Sequence, residues 1–288
     1  MYILGGTSSK HVAEKLAIKL QQPLLPTIYK RFPDNEFYVK ILANIAGEDV
    51  LIVQTAYPDT KIIELFLIQD AIQETGAKKT IIVLPYIGYS RQDKKFENGE
   101  AISARAIAQH ISIHADGVIT VDPHKEHVLK FFSVPAYSCS AVSILAQYLN
   151  KKRIDFVLAP DKGAKERAKE AAAVINCDYD YLEKIRINET KVKITPKNLD
   201  ARGKNVAIID DIISTGDTMA KSIKELKKQG AKKVTVACTH GLFIAGAKEK
   251  LLDADCDEII STDTINSDFS KVSVAECIAA ALIKKFHI

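Results

Sequence analysis

Short runs of β-branched and aliphatic residues recur along this chain, and each is followed by Gly, Asp or Ser and then by a helical pattern. Examples are Val50–Val53, Thr80–Leu84, Gly117–Val121, Phe156–Leu158, Val206–Ile209, Val234–Ala237 and Glu258–Ile260. Runs that stay apolar, instead of alternating with polar residues, suit strands covered on both faces. Amphipathic, lysine-rich stretches lie between them. Buried strands alternating with helices specify an α/β fold with a mainly parallel sheet flanked by helices. Ligands of such sheets gather at the carboxyl ends of the strands. The residues just after each run are therefore the first place to look for chemistry.

The chain also answers to itself at long range. Tyr2-Ile-Leu-Gly-Gly-Thr opens a helix as Phe156-Val-Leu-Ala-Pro-Asp does. Gly47-Glu-Asp-Val-Leu-Ile-Val matches Gly203-Lys-Asn-Val-Ala-Ile-Ile at an offset of 156, and Ala77-Lys-Lys-Thr matches Ala231-Lys-Lys-Val at 154. Val118-Ile-Thr-Val-Asp matches Ile259-Ile-Ser-Thr-Asp at 141. The fall from 154 to 141 places 13 extra residues in the first half, around Arg91–Glu100. Two tandem homologous domains are expected, residues 1–147 and 148–288, meeting near 147–155. An extra loop carried by one copy alone is a candidate functional element.

Composition narrows the partners. Apolar residues make up 47% of the 288 and charged residues 26%, an ordinary globular balance. The net charge is +4, with lysines such as Lys221, Lys224, Lys227 and Lys228 spread over helical stretches. No compact basic block with interleaved aromatics occurs, so nucleic acid is not an expected partner; small anions suit the modest positive bias. Five cysteines without a C-x-x-C pair argue against a disulfide framework or zinc site and favour a reducing compartment. The N-terminus lacks a basic, apolar leader pattern. The long uncharged stretch Phe131–Asn150 holds Pro135, serines and Gln147, a poor membrane span. A cytoplasmic protein without a membrane partner is expected.

The most informative segment is Val206-Ala-Ile-Ile-Asp-Asp-Ile-Ile-Ser-Thr-Gly-Asp-Thr. A buried strand ends in two adjacent acids, Asp210 and Asp211. Ser214, Thr215, Gly216, Asp217 and Thr218 follow, leading into a helix expected from Met219. Small residues at a helix N-terminus leave backbone N–H groups and hydroxyls open to a phosphate, which the helix dipole also favours. Two carboxylates nearby suit the hydroxyls of a sugar or a metal bound to them.

This stretch resembles the 5-phosphoribosyl 1-pyrophosphate signature of the phosphoribosyltransferase-like superfamily. The resemblance implies that Ser214–Thr218 holds a 5-phosphate and that Asp210 and Asp211 hold the ribose 2- and 3-hydroxyls. Further motifs resemble those of ribose-phosphate pyrophosphokinases. Arg31-Phe-Pro-Asp-Asn-Glu-Phe37 is similar to their adenine-binding loop, with Asp34, Asn35 and Glu36 toward the nucleotide and Phe32 as a stacking partner. The family often has Gly where Asn35 stands; Asn also tolerates a left-handed turn. Pro85-Tyr-Ile-Gly-Tyr-Ser-Arg-Gln-Asp-Lys94 resembles a loop that contacts ATP, through Arg91 with Gln92 and Asp93 orienting it. In Val121-Asp-Pro-His-Lys125 the resemblance places His124 near the ATP phosphates and magnesium. Because Mg²⁺ prefers oxygen, contact with the metal–phosphate shell suits His124 better than direct ligation.

Ala159-Pro-Asp-Lys-Gly-Ala164 is similar to a Pro-Asp-x-Gly turn whose carboxylate, here Asp161, reaches the metal; the family has a second glycine at Ala164. Lys184 and Arg186 match a cationic pair on a catalytic flap, where they would stabilise charge on the transferring group, and Arg186 would also face ribose 5-phosphate. The resemblance spans nearly the whole chain. It implies an enzyme that moves the diphosphate of Mg-ATP to the 1-hydroxyl of ribose 5-phosphate, with Mg²⁺ as cofactor. It also implies a homodimer or larger homo-oligomer with the Asp34–Glu36 loop at a neighbour's active site. An ordinary phosphoribosyltransferase would share the Asp210–Thr218 loop but would need neither Asp34–Glu36 nor Arg91–Asp93. A regulatory paralogue would be marked by loss of the Lys184 and Arg186 cations.

Overall fold

The computed structural model describes residues 1–186, 192–196 and 200–288, with the side chains of residues 184–199 outside the description. The chain divides into two units, Met1–Ser140 with Ser273–Ile288, and Ala141–Val272.

In the first unit, β1 (Tyr2–Gly5) leads to α1 (Lys10–Leu20), then to a hairpin of β2 (Thr27–Arg31) and β3 (Phe37–Ile41). The chain continues through β4 (Asp49–Val53), α2 (Asp59–Glu74), β5 (Lys79–Leu84), α3 (Ser103–Ile111), β6 (Gly117–Val121), a 3₁₀ turn at Glu126–Phe131 and β7 (Ala136–Cys139). The sheet order is β1-β4-β5-β6-β7, all parallel. Leu4, Ile52, Ile82 and Val118 stand in register across four neighbouring strands and are fully buried in one core. Each such side chain contributes roughly 1.5–3 kcal/mol by leaving water.

The second unit runs α4 (Val142–Asn150), β8 (Phe156–Ala159), a 3₁₀ turn at Lys162–Ala164, α5 (Lys165–Ile175), β9 (Asp178–Arg186), β10 (Val192–Pro196) and β11 (Asn205–Ile213). Then come α6 (Asp217–Lys228), β12 (Lys233–Gly241), α7 (Ala247–Leu252), β13 (Glu258–Thr262) and β14 (Ser270–Val272). The sheet order is β10-β9-β8-β11-β12-β13-β14, parallel except for the β9–β10 pair. Side chains alternate between the faces along each strand. Leu158, Ile208, Val236 and Ile259 fill one core, while Val157, Ala207, Ile209, Ala237 and Ile260 fill the other.

The run β8-β11-β12-β13-β14 repeats the order of β1-β4-β5-β6-β7, with a helix joining the second strand to the third and the third to the fourth in both. The surplus of the first half lies where expected. The segment joining β5 to α3 covers 85–102, whereas its counterpart joining β12 to α7 covers only 242–246.

The division differs from a cut at 147/148 in two ways. Helix α4 packs its buried face (Val142, Leu145, Ala146, Leu149) with α5, so it belongs to the second unit. The last helix, α8 (Ala275–Phe286), returns to the first. Its Phe286 ring lies against Tyr137 on β7, centroids 5.6 Å apart, and over Gly117, where an added Cβ would sit 2.3 Å from the ring. No helix among the described residues is long and apolar enough to cross a membrane.

Candidate functional site

In the second unit the candidate residues lie at the carboxyl end of the sheet. Strand β11 continues through both acids to Ile213, and Asp210 pairs in register with Cys238 of β12. Asp210 Oδ1 accepts the Asp211 backbone N–H at 2.9 Å, and Asp211 Oδ1 accepts that of Ile212 at 3.0 Å. Asp211 is buried and Asp210 half-buried. Burial first, and then the neighbouring charge of Asp211, pushes the Asp210 carboxyl up to about 8, against a smaller opposing pull from the Arg167 guanidinium. The protons of such a pair belong to the two acids together, and neighbouring cations or hydrogen-bond donors favour the ionised form.

The loop beyond them turns at Gly216, whose φ of 75° is left-handed and which caps α6. A Cβ there would lie 3.3 Å from Ala247 of α7, so backbone conformation and close packing both call for glycine. Helix α6 starts at Asp217, two residues before the expected Met219, placing Asp217 and Thr218 in its first turn. The first-turn N–H groups of a helix have no acceptor within it and face outward, as a phosphate site requires. Thr215 Oγ1 donates to Asp217 Oδ2 at 2.8 Å, and Lys250 of α7 reaches Asp217 Oδ1 at 2.8 Å and the Thr215 carbonyl at 3.2 Å. Lys250, then the Thr215 hydroxyl, holds the Asp217 carboxyl below the usual carboxylate range.

Asp161 lies two residues beyond the end of β8 and caps the following 3₁₀ turn, its Oδ1 accepting from Gly163 N–H at 2.8 Å and Ala164 N–H at 3.2 Å. Lys184 and Arg186 fall on β9, opposite Ile194 and Val192 of β10. Their side chains lie outside the described residues.

In the first unit, Phe32–Glu36 forms the tip of the β2–β3 hairpin. Phe32 N–H donates to Glu36 O at 2.9 Å, Asn35 N–H to Phe32 O at 2.8 Å, and Glu36 N–H to Asp34 Oδ1 at 3.0 Å. Asn35 has φ 72°, the left-handed conformation its side chain tolerates. The tip is solvent-exposed, and the exposed Phe32 ring packs edge-on against Tyr38. Arg31 fastens it, donating to the Asn35 carbonyl at 2.7 Å and pairing with the buried Glu64 of α2. Glu64 also receives Lys61 at 2.9 Å and the Thr7 hydroxyl.

The 85–102 loop has its own fastenings. Glu100 Oε2 accepts the N–H groups of Phe96 at 2.6 Å and Glu97 at 3.1 Å and the Gln92 amide at 3.2 Å, which lowers its pKa. Gln92 therefore shapes the loop. Arg91 is exposed, while Asp93 Oδ2 meets His127 Nε2 at 3.2 Å. That contact joins the loop to the segment carrying Asp122 and His124, where Asp122 adopts φ 34°. No three His, Cys, Asp or Glu side chains among the described residues converge as a metal site. Mg²⁺ takes one or two carboxylates and completes its shell with water and phosphate oxygens, and Asp161 just beyond β8 and Asp210 and Asp211 toward the end of β11 are carboxylates of that kind.

Sequence reasoning thus passed over Arg31, Glu64, Glu100, His127 and Lys250. Glu64 had a signal, a lone acid inside the apolar run Ile62-Ile-Glu-Leu-Phe-Leu-Ile68. Lys250 had none, for it reads as one more lysine on a charged helix.

Comparison with known proteins identifies the family. A family model described as the N-terminal domain of ribose phosphate pyrophosphokinase matches residues 1–114, and one described as a phosphoribosyl transferase domain matches 139–276. A ribose-phosphate pyrophosphokinase of Methanopyrus kandleri is 39% identical, with 98% of each chain covered. One from Pyrococcus furiosus is 43% identical over 93% of this chain and 96% of its own. The crystal structure of phosphoribosylpyrophosphate synthetase from Mycobacterium smegmatis superposes with a TM-score of 0.86 at 26% identity, covering 99% of this chain and 98% of that one. With both family models matching and such relatives aligned end to end, this chain belongs to the ribose-phosphate pyrophosphokinase family of enzymes.

Proposed function

We propose that the protein transfers the diphosphate of Mg-ATP to the 1-hydroxyl of ribose 5-phosphate, giving 5-phosphoribosyl 1-pyrophosphate and AMP for nucleotide biosynthesis. The observation that carries this reading is the end of β11. There an acid pair that ionises reluctantly stands beside a small-residue loop opening a twelve-residue helix. A phosphorylated pentose has the matching groups, a dianion at one end and a diol at the other.

In this reading the 5-phosphate takes the N–H groups and hydroxyls of Ser214–Thr218, and Asp210 and Asp211 take the ribose 2- and 3-hydroxyls. The 1-hydroxyl oxygen then attacks the β-phosphorus. The bond from that phosphorus to the oxygen bridging it to the α-phosphate breaks, and the bridging oxygen leaves with AMP. Such transfers depend on positioning and charge neutralisation. Lys184 and Arg186 would supply cations to the transferring oxygens. Asp34, Asn35 and Glu36, with Phe32, would contact the base, while Arg91 and His124 would face the phosphates. Bound Mg²⁺ would polarise phosphate oxygens, and Asp161 and the Asp210–Asp211 pair are the carboxylates suited to hold it, with His124 in the phosphate shell.

The reading includes a homodimer or larger homo-oligomer in which the exposed Phe32–Glu36 tip serves a neighbour's site, and a cytoplasmic setting, where ATP is supplied. Its test is incubation of the purified protein with Mg-ATP and ribose 5-phosphate. AMP and 5-phosphoribosyl 1-pyrophosphate should accumulate in equal amounts. Failure to form AMP, with turnover instead of preformed 5-phosphoribosyl 1-pyrophosphate and a base, would mark an ordinary phosphoribosyltransferase.

A further inference from the structure

We propose that Lys250 is the charge-compensating residue of the Ser214–Thr218 cradle, the group that lets a loop containing an aspartate accept a phosphate dianion. The inference rests on the reading that this loop receives ribose 5-phosphate. An acid in the first turn of a helix is favourable for the helix itself. In a phosphate cradle the same acid is a liability, because its charge opposes the incoming anion. Asp217 also holds a donor that the phosphate needs, since Thr215 Oγ1 is given to its Oδ2 at 2.8 Å.

Lys250 answers both problems from a separate element. Its ammonium meets Asp217 Oδ1 at 2.8 Å and so cancels the charge beside the loop. It also donates to the Thr215 carbonyl at 3.2 Å, holding the backbone of the residue whose hydroxyl must turn toward the ligand. The lysine stands on α7, and Ala247 of the same helix is the close neighbour of Gly216. One helix thus fixes both the turn and the charge of the cradle. The three donors of an ammonium allow Lys250 to keep these two acceptors and still offer a third bond to a phosphate oxygen. In this assignment Lys250 is a positioning and specificity residue, and it takes no part in the transfer step.

The experiment measures ribose 5-phosphate binding by calorimetry alongside steady-state kinetics, for wild type, Lys250→Ala, Lys250→Arg, Asp217→Asn and the Asp217→Asn/Lys250→Ala pair. Lys250→Ala should weaken ribose 5-phosphate binding and raise its KM by about tenfold, the size of one charge-assisted contact, while kcat and the KM for ATP stay within about threefold. Lys250→Arg should retain near-normal binding. Removing the acid as well should recover most of the loss, because no uncompensated charge then faces the phosphate. That recovery separates charge compensation from a structural role, which the double variant would leave impaired. Unchanged ribose 5-phosphate binding by Lys250→Ala, or a double variant no better than the single, overturns the assignment. If the wild-type protein binds no ribose 5-phosphate, the cradle reading itself fails, and this assignment with it.

Discussion

A carboxylate buried beside another carboxylate resists ionising, and at Asp210 that resistance sets a pH dependence whose sign can be worked out. The unfolded chain ionises Asp210 near 3.8 and the folded one near 8. Between these values the folded state binds more protons, so stability falls as pH rises through the interval and levels off above it. Asp210→Asn keeps an oxygen for the Asp211 N–H but carries no charge. The variant should therefore melt close to wild type at pH 4 and increasingly above it toward pH 8, by an amount on the order of a few kcal/mol. Thermal melts across this range, without Mg²⁺, check it; a melting difference that does not change with pH would show that the acid pair carries no such penalty. The acids and the Ser214–Thr218 loop were legible in the sequence because they stand together in one segment. Lys250 was not, since its role depends on α7 approaching a loop more than thirty residues away, and His127 was hidden for the same reason, its partner Asp93 lying far off along the chain.

At the scale of elements, the strands buried on both faces were readable because water is excluded from every side chain in the run. The β2–β3 hairpin was not read as a pair of strands, because Thr27–Arg31 and Phe37–Ile41 are half-exposed and mix charges with apolar residues. Its tip was nonetheless singled out, through the resemblance of Arg31–Phe37 to an adenine-binding loop, and its geometry gives a test. Asn35 sits at φ 72° with its carbonyl taken by Arg31. Glycine adopts that conformation without strain, whereas a β-branched side chain costs about 1–2 kcal/mol there. Asn35→Gly should leave the KM for ATP within about twofold. Asn35→Val should raise it several-fold with the KM for ribose 5-phosphate unchanged, since the strain distorts the turn and leaves the second unit alone. Steady-state kinetics with each substrate varied distinguishes the two, and equal effects of Val and Gly would remove the tip from the nucleotide site.

At the scale of the whole molecule, the return of α8 to the first unit is the feature local patterns could not disclose. An amphipathic helix announces that one face will be buried, yet not against which sheet. Here the choice is written in a pair far apart in sequence, Gly117 at the start of β6 and Phe286 at the end of α8. The ring occupies the space a Cβ at 117 would need, with Ile81 Cδ1 also only 3.1 Å away, and Lys79 lies over its face at 5.4 Å. Gly117→Ala should thus cost about 1–3 kcal/mol by forcing the ring aside. Phe286→Ala should cost about 2 kcal/mol, less than a fully buried ring because Phe286 is half-buried. The two losses should not add. With the ring gone, the alanine methyl at 117 finds room, so the double variant should be about as stable as Phe286→Ala alone. Urea denaturation of the four proteins measures that coupling. Additive losses would mean that α8 is held by its other contacts, those with α1 among them, and that the glycine serves the strand and not the helix.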